Sequence, residues 1–99
     1  MATKYRIEYI STFQTDVLVV AWYLKEYPKK AARIFAKVDK AISILSEMPE
    51  IHPVYDDMPT FRFIVVEDYL VFYKTKKQDR IVEIHRLLHG RMDISAHLQ

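Results

Sequence analysis

Phe61-Arg62-Phe63-Ile64-Val65-Val66, then Tyr69-Leu70-Val71-Phe72-Tyr73, then Ile81-Val82-Glu83-Ile84-His85-Arg86 are three runs dominated by β-branched and aromatic residues, and the chain continues with Leu87-Leu88-His89-Gly90-Arg91-Met92-Asp93. Short charged breaks, Glu67-Asp68 and Lys76-Lys77-Gln78-Asp79, separate the runs. Such a series predicts a meander of antiparallel strands that ends in a basic, histidine-containing segment. The chain has a single glycine, so neither break carries the Asn-Gly or Asp-Gly signal that would define its turn.

Upstream, Tyr5, Ile7 and Tyr9 alternate with Arg6 and Glu8, the period of a half-buried strand. Ser11 or Thr12 then offers an N-cap hydroxyl to a helix whose stripe is Phe13, Val17, Val20, Leu24 and Tyr27. Leu18, Val19, Trp22 and Tyr23 add apolar surface outside that stripe, which predicts a helix with two neighbours. Pro28 breaks the pattern and suits the first position of a second helix, where Ala31, Phe35, Val38, Ile42 and Leu45 repeat the spacing up to Pro49. Residues 49–59 hold three prolines and neither periodicity, and read as the connection from helices to sheet. The predicted order is β-α-α-β-β-β with a short tail: an α+β fold with an N-terminal strand, an αα-hairpin packed on one face of the sheet, and a three-stranded antiparallel meander.

At 99 residues, with 51% apolar and 28% charged residues, the chain is expected to form one domain over residues 1–99 around one core. The absence of cysteine excludes a disulfide framework, a thiolate metal site and cysteine catalysis, and is compatible with the cytoplasm, the expected location. The longest apolar run, residues 17–24, is far shorter than the roughly 20 residues that cross a bilayer, so no membrane partner is expected. A net charge of +2 does not by itself indicate nucleic-acid binding, but its distribution is uneven. Lys25, Lys29, Lys30, Arg33, Lys37 and Lys40 form one basic cluster, and Lys74, Lys76, Lys77, Arg80, Arg86 and Arg91 form another. Between them Glu47, Glu50, Asp56, Asp57, Glu67 and Asp68 are interrupted only by Arg62, which predicts a dipolar molecule with surfaces of opposite sign.

Several chemistries drop out on spacing. His85 and His89 lie four apart on a predicted strand, roughly 13 Å, too far for one metal ion, and no metal site is expected. The lone Gly90 makes no phosphate loop, and no serine sits in a nucleophile elbow. Tyr5, Tyr9, Tyr69 and Tyr73 could stack nucleobases, yet at strand spacing they read first as core. The remaining set is Arg62, Arg86, His89 and Arg91: cations converging on a sheet face could hold phosphate while a histidine moves a proton. The alternative arrangement has Arg86 paired with Glu83 or Asp93, Arg62 in solvent, and His89 bonded to backbone near the chain end.

This series of residues resembles the toxins of the RelE/ParE superfamily, small bacterial proteins encoded beside an antitoxin, and within it the ParE-like branch. The resemblance rests on Arg62 on one strand, on the Tyr-x-x-Phe-Tyr strand from Tyr69 to Tyr73, and on an ending with Arg86, His89, Gly90, Arg91 and Asp93. It covers the order of elements over nearly the whole chain. The mRNA-cleaving branch typically has Tyr-Arg at the start of the middle strand and a tyrosine near the end; here Leu70 stands in place of that arginine and no tyrosine follows Tyr73. Losing a cation positioned on a cleaved phosphodiester costs on the order of 10² or more in rate. The ending also departs from the ParE-like pattern at Met92, where a second arginine is common.

The resemblance implies a toxin of a type II toxin–antitoxin module that inhibits DNA gyrase by protein contact, with Arg62, Arg86, His89, Arg91 and Asp93 as the toxicity surface and no cofactor. The second reading is a ribosome-dependent mRNA endonuclease using His89 with Arg62, Arg86 and Arg91, its partners the ribosome and mRNA. The third is an inactive homologue that keeps only antitoxin binding. A cognate antitoxin is implied in each, and Trp22, Lys25, Lys29, Lys30 and Arg33 form its expected landing area, suited to an acidic amphipathic segment. Self-association into a homodimer through the same helix is the competing use of that surface.

Overall fold

The structure, a computed structural model, describes residues 4–98. The elements follow as β1 (Arg6–Tyr9), α1 (Ser11–Tyr23), α2 (Pro28–Ile44), β2 (Arg62–Val66), β3 (Tyr69–Lys76), β4 (Ile81–His89) and a terminal turn of helix, α3 (Ile94–Leu98). The four strands form one sheet in the order β1-β4-β3-β2, with β2-β3-β4 an antiparallel meander and β1 added parallel to β4. The fold is α+β, with the predicted element order extended by α3.

The helical hairpin covers one sheet face. Phe13, Val20 and Leu24 from α1 and its end, and Ile34, Val38, Ile42 and Leu45 from α2 and its end, meet Ile64, Val66, Val71, Tyr73, Val82, Ile84 and Leu87. The predicted α2 stripe is displaced: Ile34, not Ala31 or Phe35, shares the deepest row with Val38 and Ile42. Pro28 opens α2 as predicted, because a residue at N1 needs no N–H partner. The α1 N-cap differs from expectation. Ile10 occupies it without a side-chain cap, and Thr12 Oγ1 instead donates to the His85 carbonyl at 2.7 Å.

The second sheet face is also covered. Phe61, Phe72, Leu88 and Leu98 pack there with Tyr55, Met58, Phe63, Leu70 and Ile94, so the connector and α3 close over the face opposite the helices. Phe72 sits edge-on to both Tyr55 and Phe61, at ring separations of 5.3 and 6.3 Å. Strands buried on both faces read as unbroken apolar runs, which is how β3 reads in the sequence. The connector is fastened at its start, where Tyr73 Oη donates to the Pro49 carbonyl at 2.9 Å.

Two features supply stability tests. Thr75 Oγ1 is a buried hydroxyl without a partner among the described residues. Thr75→Val is expected to raise stability by about 1 kcal/mol, read from the urea midpoint, because it removes an unmet hydrogen bond at nearly constant volume. A loss of stability would show that the hydroxyl is engaged.

Glu67 opens the two-residue β2–β3 turn at a positive φ of 54°, a conformation that costs a non-glycine residue about 1 kcal/mol. Its carboxylate is anchored by Arg33 Nε at 2.8 Å, Arg33 Nη2 at 2.9 Å and Lys37 Nζ at 3.1 Å, tying the hairpin tip to α2. Those bonds lower the Glu67 pKa from 4.5 to about 2. A carboxyl whose pKa falls on folding contributes stability that is present above its unfolded value and lost as pH drops through the folded one. The stability gap between the parent chain and Glu67→Gln is therefore expected to hold above pH 4.5 and to close as pH falls to about 2, as followed by thermal unfolding.

Candidate functional site

β4 runs past the end of β1, and a bulge sets what its second half presents. Tyr73 pairs with Ile84 and Phe72 with Arg86, leaving His85 as the extra residue. That one-residue shift turns Leu87 and His89 toward the helix side, as Val82 and Ile84 are before it. The predicted cations are dispersed. Arg62 lies at the start of β2 opposite Tyr73, whereas His89 lies opposite Tyr69, which itself pairs with Val66. Four residues along a strand is ~13 Å, so Arg62 and His89 occupy different ends of the sheet.

Arg62 is not in solvent. Its Nη1 donates to the His52 carbonyl at 2.7 Å, and its Nη2 lies 3.8 Å from Glu50, so it braces the connector. Glu50 also binds Lys77 at 2.6 Å. With Glu67 engaged by Arg33 and Lys37, charges separated along the sequence are neutralised in the fold, which corrects the expected dipole at these positions.

Arg86 binds neither Glu83 nor Asp93. Its Nε and Nη2 donate to Asp16 at 2.7 and 3.0 Å, its Nη1 donates to the His97 carbonyl, and Leu87 N–H donates to Asp16 Oδ2 at 2.9 Å. Hydrogen bonding to Asp16 holds the Arg86 pKa above its ordinary range. Asp16 is only 8% exposed and accepts three hydrogen bonds, so this is an interior ion pair tying α1, β4 and α3 together. The signal for it in the sequence is one carboxylate, Asp16, set between Phe13 and Val20 in an otherwise uncharged apolar helix.

His89 stacks edge-on to Tyr69, with ring centres 5.2 Å apart, and its Nδ1 accepts from the Arg91 N–H at 3.1 Å. In the neutral ring that bond makes Nδ1 the acceptor and leaves the proton on Nε2. Gly90 N–H donates to the Asp68 carbonyl at 2.8 Å, and Arg91 and Asp93 are exposed beyond it. Of the five proposed toxicity residues, only His89, Arg91 and Asp93 lie together at this end.

The α1 side is different. Leu18, Trp22 and Tyr23 are 71%, 65% and 74% exposed, with Val19 and Tyr27 also open, so this face of α1 is left uncovered by the described residues. Lys25 Nζ sits 3.4 Å above the Trp22 ring centre, Lys29 is exposed and Lys30 half-buried on the first turn of α2. Of the five residues expected to meet an antitoxin, Arg33 is the one that forms an ion pair among the described residues, with Glu67.

A family model described as the ParE toxin of type II toxin–antitoxin system, parDE, matches residues 5–94. The chain belongs to the ParE toxin family. No match is found among curated proteins. Two solved structures share the fold of this ParE toxin. The toxin–antitoxin complex RelBE2 from Mycobacterium tuberculosis aligns at TM-score 0.63 and 21% identity, covering 90% of this chain and 94% of that one. The chromosomal ParDE system from P. aeruginosa aligns at TM-score 0.71 and 12% identity, covering 87% and 96% respectively. As a ParE family member, the chain is the toxin type of a type II module. Among the described residues no helix is long and apolar enough to cross a membrane.

Proposed function

We propose that this ParE toxin inhibits DNA gyrase by protein contact and is silenced by a cognate antitoxin that covers α1 and the start of α2. The observation that carries the contact reading is the engagement of the arginines: Arg86 is held by Asp16 and Arg62 by the His52 carbonyl and Glu50. Phosphodiester cleavage requires cations already aimed at the developing charge. His89 has only Arg91 among the proposed cations near it, and its hydrogen bond to the Arg91 N–H suits donation. The surface it shares with Arg91 and Asp93 can grip a macromolecule through hydrogen bonds and charge without breaking bonds.

The antitoxin reading is supported by the apolar face of α1, next to Lys25, Lys29 and Lys30, which matches an acidic amphipathic segment. Both solved relatives are described as toxin–antitoxin systems. Inducing the chain in bacteria, with chromosomal breaks and transcript integrity followed together, tests the target. Breaks with intact transcripts are expected. Ribosome-dependent transcript cleavage would establish the nuclease reading instead, and unaffected growth would establish a chain retained for antitoxin binding alone.

A further inference from the structure

β2 pairs with β3 on one side, and on the other the connector covers only its first half. Val54 bridges to Arg62, Tyr55 N–H donates to the Phe61 carbonyl at 2.8 Å, and Phe63 N–H donates to the Pro53 carbonyl at 3.1 Å. The return bond, from residue 53 to the Phe63 carbonyl, cannot form because proline has no N–H. Alternate residues of an antiparallel strand aim their backbone groups to the same side, so the Val65 N–H and carbonyl also point away from β3. Neither takes part in the backbone bonds that the described residues form outside their strands and helices, and the Val65 side chain is 64% exposed.

Beside this open end lies a groove of about 510 Å3, lined by Pro53, Val54, Tyr55, Asp56, Asp57 and Phe63. Its two aromatic rings, Tyr55 and Phe63, stand at 85° to one another with centres 5.9 Å apart. Asp56 and Asp57 are exposed and enter no ion pair among the described residues. Aromatic faces and unneutralised carboxylates both attract an ammonium or guanidinium group, and the flexible stem that carries such a group packs on apolar surface. Phe63 and Val65, two apart on the strand, share one face of the sheet. A residue paired with Val65 is a diagonal neighbour of Phe63, within reach of a long side chain.

We propose that this edge and groove together take an extended segment of a partner protein, one residue of which exchanges both backbone bonds with Val65 while its lysine or arginine side chain lies over Phe63 toward Asp56 and Asp57. On the reading of α1 as the antitoxin surface, this partner is not the antitoxin, whose segment is acidic, as the groove is. A second copy of the chain does not fit. In a two-fold pairing about Val65 its Glu67 falls opposite Phe63, where Pro53 already stands, and its valine leaves both carboxylates without a cation. α1 packs on β4 whereas β2 is the far edge of the sheet, so the antitoxin and the basic segment can be bound at once.

Two capped peptides are to be titrated into the full chain and followed by NMR: Thr-Val-Lys-Val-Thr, and its counterpart with Glu in place of Lys. At about ten times the Kd of the lysine peptide, Val65 amide exchange is expected to slow about tenfold, with the Tyr55 and Asp57 signals shifted. The glutamate peptide is expected to leave all three unchanged. Equal action of the two peptides, or no response to either, overturns the proposal, as does a shift at Asp57 with Val65 exchange unaltered. Exchange that slows with rising chain concentration in the absence of peptide assigns the edge to a second copy instead. Asp56→Asn combined with Asp57→Asn keeps the shape of two exposed side chains and is expected to weaken the lysine peptide roughly tenfold. Undiminished affinity in that variant contradicts the groove.

Discussion

Asp16→Ala is expected to destabilise the chain by about 3–5 kcal/mol, the effect of leaving a desolvated arginine without its counter-charge. Asp16 accepts two bonds from Arg86 and one from Leu87 N–H, and a single methyl replaces none of them. Arg86 also reaches the His97 carbonyl, so the change is expected to loosen α3 as well as α1. Equilibrium urea unfolding measures the loss. The double variant Asp16→Ala, Arg86→Met is expected to recover a large part of it, because removing both charges abolishes the desolvation penalty that removing one exposes. A small effect of Asp16→Ala, with Arg86→Met unchanged in stability and lost in toxicity, would show that Arg86 serves a target and not the fold.

Trp22→Ala is expected to have the largest effect on antitoxin binding. Trp22 is 65% exposed on a helix face that the chain does not itself cover, and Lys25 above its ring presents a cation beside it. Buried aromatic anchors at interfaces typically carry about 2–4 kcal/mol, a loss of roughly 30- to 800-fold in affinity. Surface truncation away from the core leaves stability within about 0.5 kcal/mol, so affinity and unfolding separate cleanly. Charge reversal at Lys29 and Lys30 is expected to act in the same direction, with a loss that shrinks at high salt. An unchanged dissociation constant in Trp22→Ala would remove this face from the complex, and a change in self-association instead would assign it to a homodimer.

Local periodicity carries much of this fold. The alternation of Tyr5, Ile7 and Tyr9, the spacing of Val38, Ile42 and Leu45, and the placement of Pro28 each report one element's own geometry, and each element is present. What periodicity could not report is where one element meets another. The bulge at His85 adds a residue without changing composition, yet it decides which of Arg86, Leu87, Leu88 and His89 face the helices. The partner of Arg86 is 70 residues away on α1, beyond the reach of neighbour arguments that favoured Glu83 or Asp93. The cover over the second sheet face was equally hidden, since Tyr55, Met58 and Phe61 sit in an aperiodic connector and the five residues of α3 are too few to announce a stripe.

The distinction between gripping and cutting is tested most directly in a purified system. The chain is titrated into gyrase supercoiling relaxed plasmid, and in parallel into ribosomes translating a labelled mRNA, with and without the antitoxin. Gripping without cutting predicts that supercoiling stops as the toxin is added and resumes when the antitoxin is supplied, while the mRNA stays whole throughout. Supercoiling that continues unimpeded while the mRNA is cut on the ribosome would contradict it.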